Sequence, residues 1–203
     1  MGKHSKPTPP RGDSVHPLMA ALAVLCTIAL VAVFIVAAFS DRVIGQPTIN
    51  GDLLGPQEGE NAAAYIARAD EELAAMDGDQ PRWALVSFVP AITADIVDLR
   101  VPAGSVRVGR VLIAGSAGFD VPEPTRGATR AEVIRREAGF AGGRGQPFTL
   151  TDDGTLLVSG LVVYAVPNDL RTLKTVAGVA AVEPLPEDAA YGRFGVRPLW
   201  GIE

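Results

Sequence analysis

Side chains able to do chemistry are scarce in this chain, and most of them lie at one end of it. Both histidines, His4 and His16, and the single cysteine, Cys26, fall within the first 26 residues. Beyond position 39 there is one lysine, Lys174, and neither histidine nor cysteine. Ser-His-Asp and Cys-His nucleophiles need an imidazole base, and zinc or copper sites draw on His and Cys. Residues 40–203 therefore exclude these classes, and thiol redox work with them. A Ser-Lys dyad would have to use Lys174, which reads as the solvent side of a helix flanked by Arg171 and Thr175.

Paired carboxylates could still hydrolyse glycosides if apolar surroundings held one of them protonated. Asp152-Asp153 precedes a glycine and reads as a turn, Glu71-Glu72 as a wet helix face, and Glu187-Asp188 as a strand exit. Gly115-Ser116-Ala117-Gly118 lacks the G-x-S-x-G frame of a nucleophile elbow. Gly142-Gly143-Arg144-Gly145 lacks the lysine and following Ser/Thr of a P-loop. No catalytic, cofactor-binding or metal-ligating residue is assigned on this reading, and no cofactor is expected. What remains is recognition chemistry. Arg126, Arg130, Arg135 and Arg136 form a local basic helix balanced by Glu132 and Glu137, and the C-terminal tail carries Tyr191, Phe194, Leu199 and Trp200. Such a tail should dock on something, either its own domain or a partner. Arg130, Arg135, Arg136, Tyr191, Phe194 and Trp200 are the candidate partner interface.

The elements that must position these residues begin with PLMAALAVLCTIALVAVFIVAAF, residues 17–39, which carries no charge. As a helix it would span roughly 34 Å at ~1.5 Å per residue, against a hydrocarbon core of about 30 Å. Its Leu, Ile, Val and Phe residues contribute about −4 to −7 kcal/mol towards insertion. It reads as a transmembrane helix anchored by Leu18, Leu22, Leu25, Ile28, Leu30, Phe34, Ile35 and Phe39. A signal peptide is the alternative, with Val36-Ala37-Ala38 as a passable cleavage site, although its apolar region should be shorter. Cys26 follows a bulky leucine and reads as an apolar membrane residue. Lys3, Lys6 and Arg11 precede the run with only Asp13 opposing them. The positive-inside rule thus keeps the N-terminus cytoplasmic and places the rest outside the plasma (inner) membrane, as a single-pass protein.

Removing those three cations and one acid from totals of 18 and 23 leaves 15 Lys/Arg against 22 Asp/Glu, a net of −7. That is a poor match for nucleic acid or an anionic lipid surface. Without cysteine no disulfide staples this part, so its stability must come from a packed core.

Residues 1–16 are polar and proline-bearing and should be a disordered tail; Arg11-Gly12-Asp13 within them is a chance-level adhesion tripeptide. Residues 40–59, with Gly45, Pro47, Asn50-Gly51 and Gly55-Pro56, read as a linker. Residues 60–78 form an amphipathic helix with Ala62, Tyr65, Ile66, Ala69, Leu73 and Met76 on one face. The helix either packs on the domain or docks a partner subunit.

From 80 to 187 the order is strand 82–90, a short helix with Ile92, Ile96 and Leu99 on one side, strand 105–115, strand 155–166, a helix capped by Asn168 with Leu170, Leu173 and Ala177 inward, and a strand VAAVEPL stopped by Pro184 and Pro186. Two β-α-β units in one antiparallel sheet give an α+β fold, a ferredoxin-like βαββαβ sandwich. Residues 116–154 form an insertion between strands 2 and 3, too long for a hairpin and containing a helix at TRAEVIRREAGF. Residues 188–203 form the aromatic tail.

The stretch VPNDLRTLKTVAGVAAVEPLP resembles the closing half of the small βαββαβ modules found in protease propeptide-type inhibitors and bacterial interaction domains. The MGKHSKP opening, the single apolar run and the Ala/Val/Arg/Gly bias resemble single-pass envelope proteins of high-GC actinobacteria. The first reading of function is a non-catalytic accessory or assembly subunit in the membrane. It would bind a larger membrane or envelope complex through a sheet edge, the insertion and the tail, with the lipid bilayer and other envelope proteins as partners. An extracytoplasmic ligand-binding or protease-regulating module, with an apolar pocket near Trp83, Phe119 and Phe148, is the alternative. A carboxylate-based envelope hydrolase is the third.

Overall fold

The computed structural model describes residues 17–38, 51–115, 118–143, 145 and 150–199, except for the side chains of 18 and 32–38. The chain divides into two compact units, 1–48 and 49–203.

In the first unit, helix α1 spans Pro17–Ala38. Among the described residues, however, no helix is long and apolar enough to cross a membrane. The transmembrane helix expected over 17–39 is corrected accordingly. Of the anchor residues, Leu22, Leu25, Ile28 and Leu30 are exposed. Leu18, Phe34, Ile35 and Phe39 lie outside the described side chains, as do residues 1–16 and the 40–50 part of the linker.

The second unit is α+β. Its main sheet is five-stranded, with order β4-β3-β5-β2-β6, from β2 (Arg82–Thr93), β3 (Arg107–Ile113), β4 (Phe119–Asp120), β5 (Leu157–Ala165) and β6 (Val179–Pro184). Every pairing within it is antiparallel. Each β-α-β crossover leaves one strand between the two it joins: β5 separates β2 from β3, and β2 separates β5 from β6. Four strands are expected from the sequence and five are found, because the insertion contributes β4 against the outer side of β3.

Helices α3 (Ala94–Arg100), α4 (Arg130–Gly143) and α5 (Pro167–Lys174) supply one apolar layer. Val97, Ile134, Leu170 and Leu173 pack there with Val86, Val111, Leu161, Val163 and Val182. Helix α2 (Ala62–Ala75) starts at Asn61, whose side chain accepts the Ala64 N–H at 2.9 Å, a regular N-cap. It lies along β6: Tyr65 and Ala69 pack with Ala181, while Leu73 joins the main core. Helix α4 opens on a capping box in which Thr129 and Glu132 bond each other's backbone N–H.

Three local expectations differ from the structure. Strand β2 runs on to Thr93, so the following helix starts later and buries Ala94 and Val97; Leu99 is 80 % exposed. Helix α5 begins at Pro167 with Val166 as its cap, not Asn168, since proline's fixed φ suits a first helical turn. Pro184 is the last residue of β6, where the missing N–H is tolerated at a sheet edge.

The opposite face of the sheet has no helix over its centre. Trp83, Leu85, Leu112, Val162 and Leu185 cluster there under Leu54, Ala189, Phe194 and Val196. The covering chain comes from both ends of the unit: β1 (Leu53–Leu54) pairs in parallel with β7 (Gly195–Val196).

Candidate binding groove

Three elements frame an open cavity of about 440 Å³: the start of α3, the outer stripe of α4, and the 150–156 turn. Helix α4 contributes Arg135, Ala138, Gly139 and Gly142, a stripe at helical spacing whose small side chains leave a trough. A Cβ added at Gly139 would meet no atom within 4 Å. The turn is closed by a Leu150–Leu156 bridge and by Thr151 N–H donating to the Thr155 carbonyl at 3.0 Å, with Gly154 at positive φ. Asp153 accepts from the Thr151 hydroxyl and the Thr155 N–H. The Thr151 bond leads in holding the Asp153 carboxyl below its ordinary pKa. This carboxylate ties a turn and stays ionised, the opposite of what a general acid needs.

The rim is polar. Arg135 grips Asp95 of α3 with both contacts near 3 Å, and both groups are exposed, where such a pair contributes little to stability. Leu150 in the lining is 47 % exposed, and the framing helices carry exposed Leu99 and Phe140, the latter at 55 %.

A second cluster is polar and buried. Glu183, 3 % exposed on β6, accepts from Arg68 at 2.7 Å and from the Gly55 N–H. Arg68 also donates to Glu60, Glu72 and the Gly55 carbonyl. Burial dominates in raising the Glu183 pKa, against the lowering effect of Arg68 and Gly55. On the same arginine, Glu60 is lowered, chiefly by its bond to Arg68. Every charge here is met by a protein group, which is the signature of an anchor.

No family model, curated protein or solved structure matches the chain. Its own residues carry the case for function.

The five described candidate interface residues are not brought together on one surface. Arg135 and Arg136 are exposed on α4, but only Arg135 lines the groove. Arg130 is 4 % exposed. It donates to the Val101 and Val106 carbonyls at 2.8 and 3.0 Å, with Glu123 at 3.8 Å. It staples a loop and offers nothing to a partner. Burial lowers its pKa from the ordinary arginine value. Tyr191 and Phe194 lie on the opposite sheet face, packed with Trp83 at centroid distances of 4.5 and 6.2 Å. The Tyr191 hydroxyl donates to the Gly109 carbonyl and Asp120. Of the two sites open to the tail, its described residues take their own domain. Trp200 lies outside the described residues.

Of the three residues expected around an apolar pocket, Trp83, Phe119 and Phe148, the two described ones are not brought together. Trp83 and Phe119 are both buried, in separate clusters, and Phe148 lies outside the described residues. Lys174 bridges Asp70 and the Ala180 carbonyl, the latter at 2.8 Å. Glu72 is engaged by Arg68 and Glu187 by Arg82. Among the described residues no group of three His, Cys, Asp or Glu is placed to hold a metal ion. Sequence reasoning missed Glu183 and Arg68. The only signal was a carboxylate interrupting the apolar run Val179–Leu185.

Proposed function

We propose that this chain is a non-catalytic binding module, and that its groove between α3, α4 and the 150–156 turn receives an apolar segment of a protein partner. The observation that carries the reading is the coincidence of an open, mainly apolar cavity with exposed leucine and phenylalanine on the elements around it. Leu99 and Phe140 lie outside the cavity lining, so the apolar surface extends past what a small molecule inside would cover. A peptide segment or a helix face covers both. The cavity's size alone suits a small ligand as well, and the exposed Leu99 and Phe140 beyond it favour a protein.

The other two docking routes are less suited. The tail is spent on its own sheet. The sheet edges are blunted in the ways that discourage strand addition: β4 is two residues long and followed by Pro122 and Pro124, and β6 ends in Pro184 with Lys174 on its Ala180 carbonyl. The net acidic balance of residues 40–203 favours a partner without nucleic acid.

The test is a photo-crosslinking residue placed at Leu150 in the full chain in its native cells, with Arg193 on the opposite face as control. The expected result is a discrete protein adduct from position 150 alone, reduced at least tenfold by Gly139→Trp, which fills the trough in open space. An adduct indifferent to Gly139→Trp overturns the reading. So does the absence of any adduct alongside a thermal shift with a small apolar ligand, which transfers the groove to ligand binding.

A further inference from the structure

The sheet face opposite α3, α4 and α5 is covered by α2 only along β6, and over its centre it is closed by two irregular segments that hold each other. Gly195 N–H donates to the Asp52 carbonyl at 2.9 Å and Arg197 N–H to the Leu54 carbonyl at 2.7 Å. The Arg197 guanidinium reaches the Pro56 carbonyl at 2.9 Å. Their grip on the sheet rests on a short set of contacts: Leu54 buried completely, Gly55 held by Glu183 and Arg68, Tyr191 and Phe194 on the Trp83 ring, Ala189 and Val196 beside them, and the Tyr191 hydroxyl. Cavities flank this line of contact. One of about 250 Å³ is lined by Gly51, Asp52 and Phe194 among others, and one of about 490 Å³ by Leu53, Gln57 and Arg68 among others. A two-residue parallel bridge beside two cavities has few packing contacts to lose on opening. Local unfolding starts where buried apolar contact is sparse.

We propose that residues 51–57 and 189–199 form a strap that opens as one unit, ahead of the rest of the domain, and uncovers Trp83, Leu85, Val162 and Tyr164. The Glu183–Gly55–Arg68 contacts are its latch, and the β1–β7 bridge is its clasp. The open state presents a second apolar surface distinct from the groove.

The test is native-state hydrogen exchange of the full chain in a Cys26→Ser background, with and without a disulfide between Leu53→Cys and Gly195→Cys. These positions are direct partners in the β1–β7 register, and Gly195 is not among the glycines that need positive φ. The expected result is exchange of the Gly195 and Arg197 amides at least 100-fold faster than the β2 and β5 ladder amides. Oxidation of the pair, which leaves the Arg197 amide in place, should bring that amide to the ladder rate, and reduction should restore the difference. A uniform exchange rate overturns the proposal, and so does fast exchange that the disulfide leaves unchanged. Failure of the pair to oxidise contradicts the register on which the strap rests and overturns the proposal as well.

Discussion

The two faces of the central sheet are closed by different means. One is covered by α3, α4 and α5, whose leucines, isoleucines and valines interdigitate with alternate residues of β2, β3, β5 and β6. The other carries α2 along β6 and is otherwise covered by chain ends with little regular structure, pinned by Glu183, Arg68, Tyr191 and a short parallel bridge. Packing on the first face is spread over many contacts, so no single one is decisive. On the second face, a few polar contacts hold segments that contribute only a handful of apolar side chains. This contrast sets where the domain should be rigid and where it should open. Arginines recur on both faces as staples. Arg68, Arg82, Arg100, Arg130, Arg171 and Arg197 each donate to a backbone carbonyl on another segment, cross-linking loops in a unit without cysteine.

The largest expected effect separates the faces directly. Leu173→Ala on the helix face should lower the global unfolding free energy by about 2–5 kcal/mol, read from chemical denaturation of the full chain. Leu54→Ala removes a side chain of the same size from the strap. Its cost should appear in local opening, as Gly195 and Arg197 amide exchange faster by about 30-fold or more, with the β2 and β5 amides unmoved. If Leu54→Ala instead speeds every ladder amide equally, the two faces are one cooperative unit and the distinction between them fails.

Next in size is Arg130→Met, which fills similar space but leaves the Val101 and Val106 carbonyls without their donor. A loss of about 1–3 kcal/mol is expected from buried acceptors left unmet. A neutral result in a thermal melt would mean water replaces the guanidinium. Tyr191→Phe keeps the ring on Trp83 and removes only the hydroxyl bonds, for an expected loss of about 0.5–1.5 kcal/mol. A larger loss would make the tail a polar anchor more than an aromatic one.

The smallest effect is on pH dependence, because two acids on one arginine shift oppositely. Glu60 is lowered from 4.5, so its stabilising contribution is present above that value and is lost as pH falls through its folded pKa. Glu183 is raised from 4.5. Its contribution is complete below 4.5 and is lost as pH rises through the raised value. The two partly cancel in overall stability but separate in a carboxyl-carbon NMR titration, with Glu183 above 4.5 and Glu60 below. Both shifting the same way would mean burial does not govern Glu183.

Deleting residues 188–203 does not test partner binding cleanly in this fold. The deletion removes β7, frees β1 and bares Trp83, so lost association would report a damaged sheet face. Groove variants such as Gly139→Trp avoid that ambiguity.

The β-α-β order, the amphipathic helix α2 with Tyr65, Ala69 and Leu73 inward, and the inward Leu170 and Leu173 of α5 were legible in the sequence. So was the absence of His and Cys side chains beyond position 39. These are local or compositional properties, carried by periodicities of 3.6 and 2 and by inventory alone. The positions that mattered for the site were not legible. Arg130, Arg135 and Arg136 share one basic stretch, yet one is buried and two are exposed, because the loop carbonyls that enclose Arg130 come from another part of the chain. Glu183 becomes a buried latch only because Arg68, 115 residues away, and Gly55, 128 away, fold against it. The fate of the aromatic tail likewise depended on Trp83 being free to receive it. Composition and spacing determined which elements form and which side chains they carry. The tertiary structure alone decided which charges are buried, where the tail lies and where a groove opens, because burial is set by neighbours that sequence distance does not reveal.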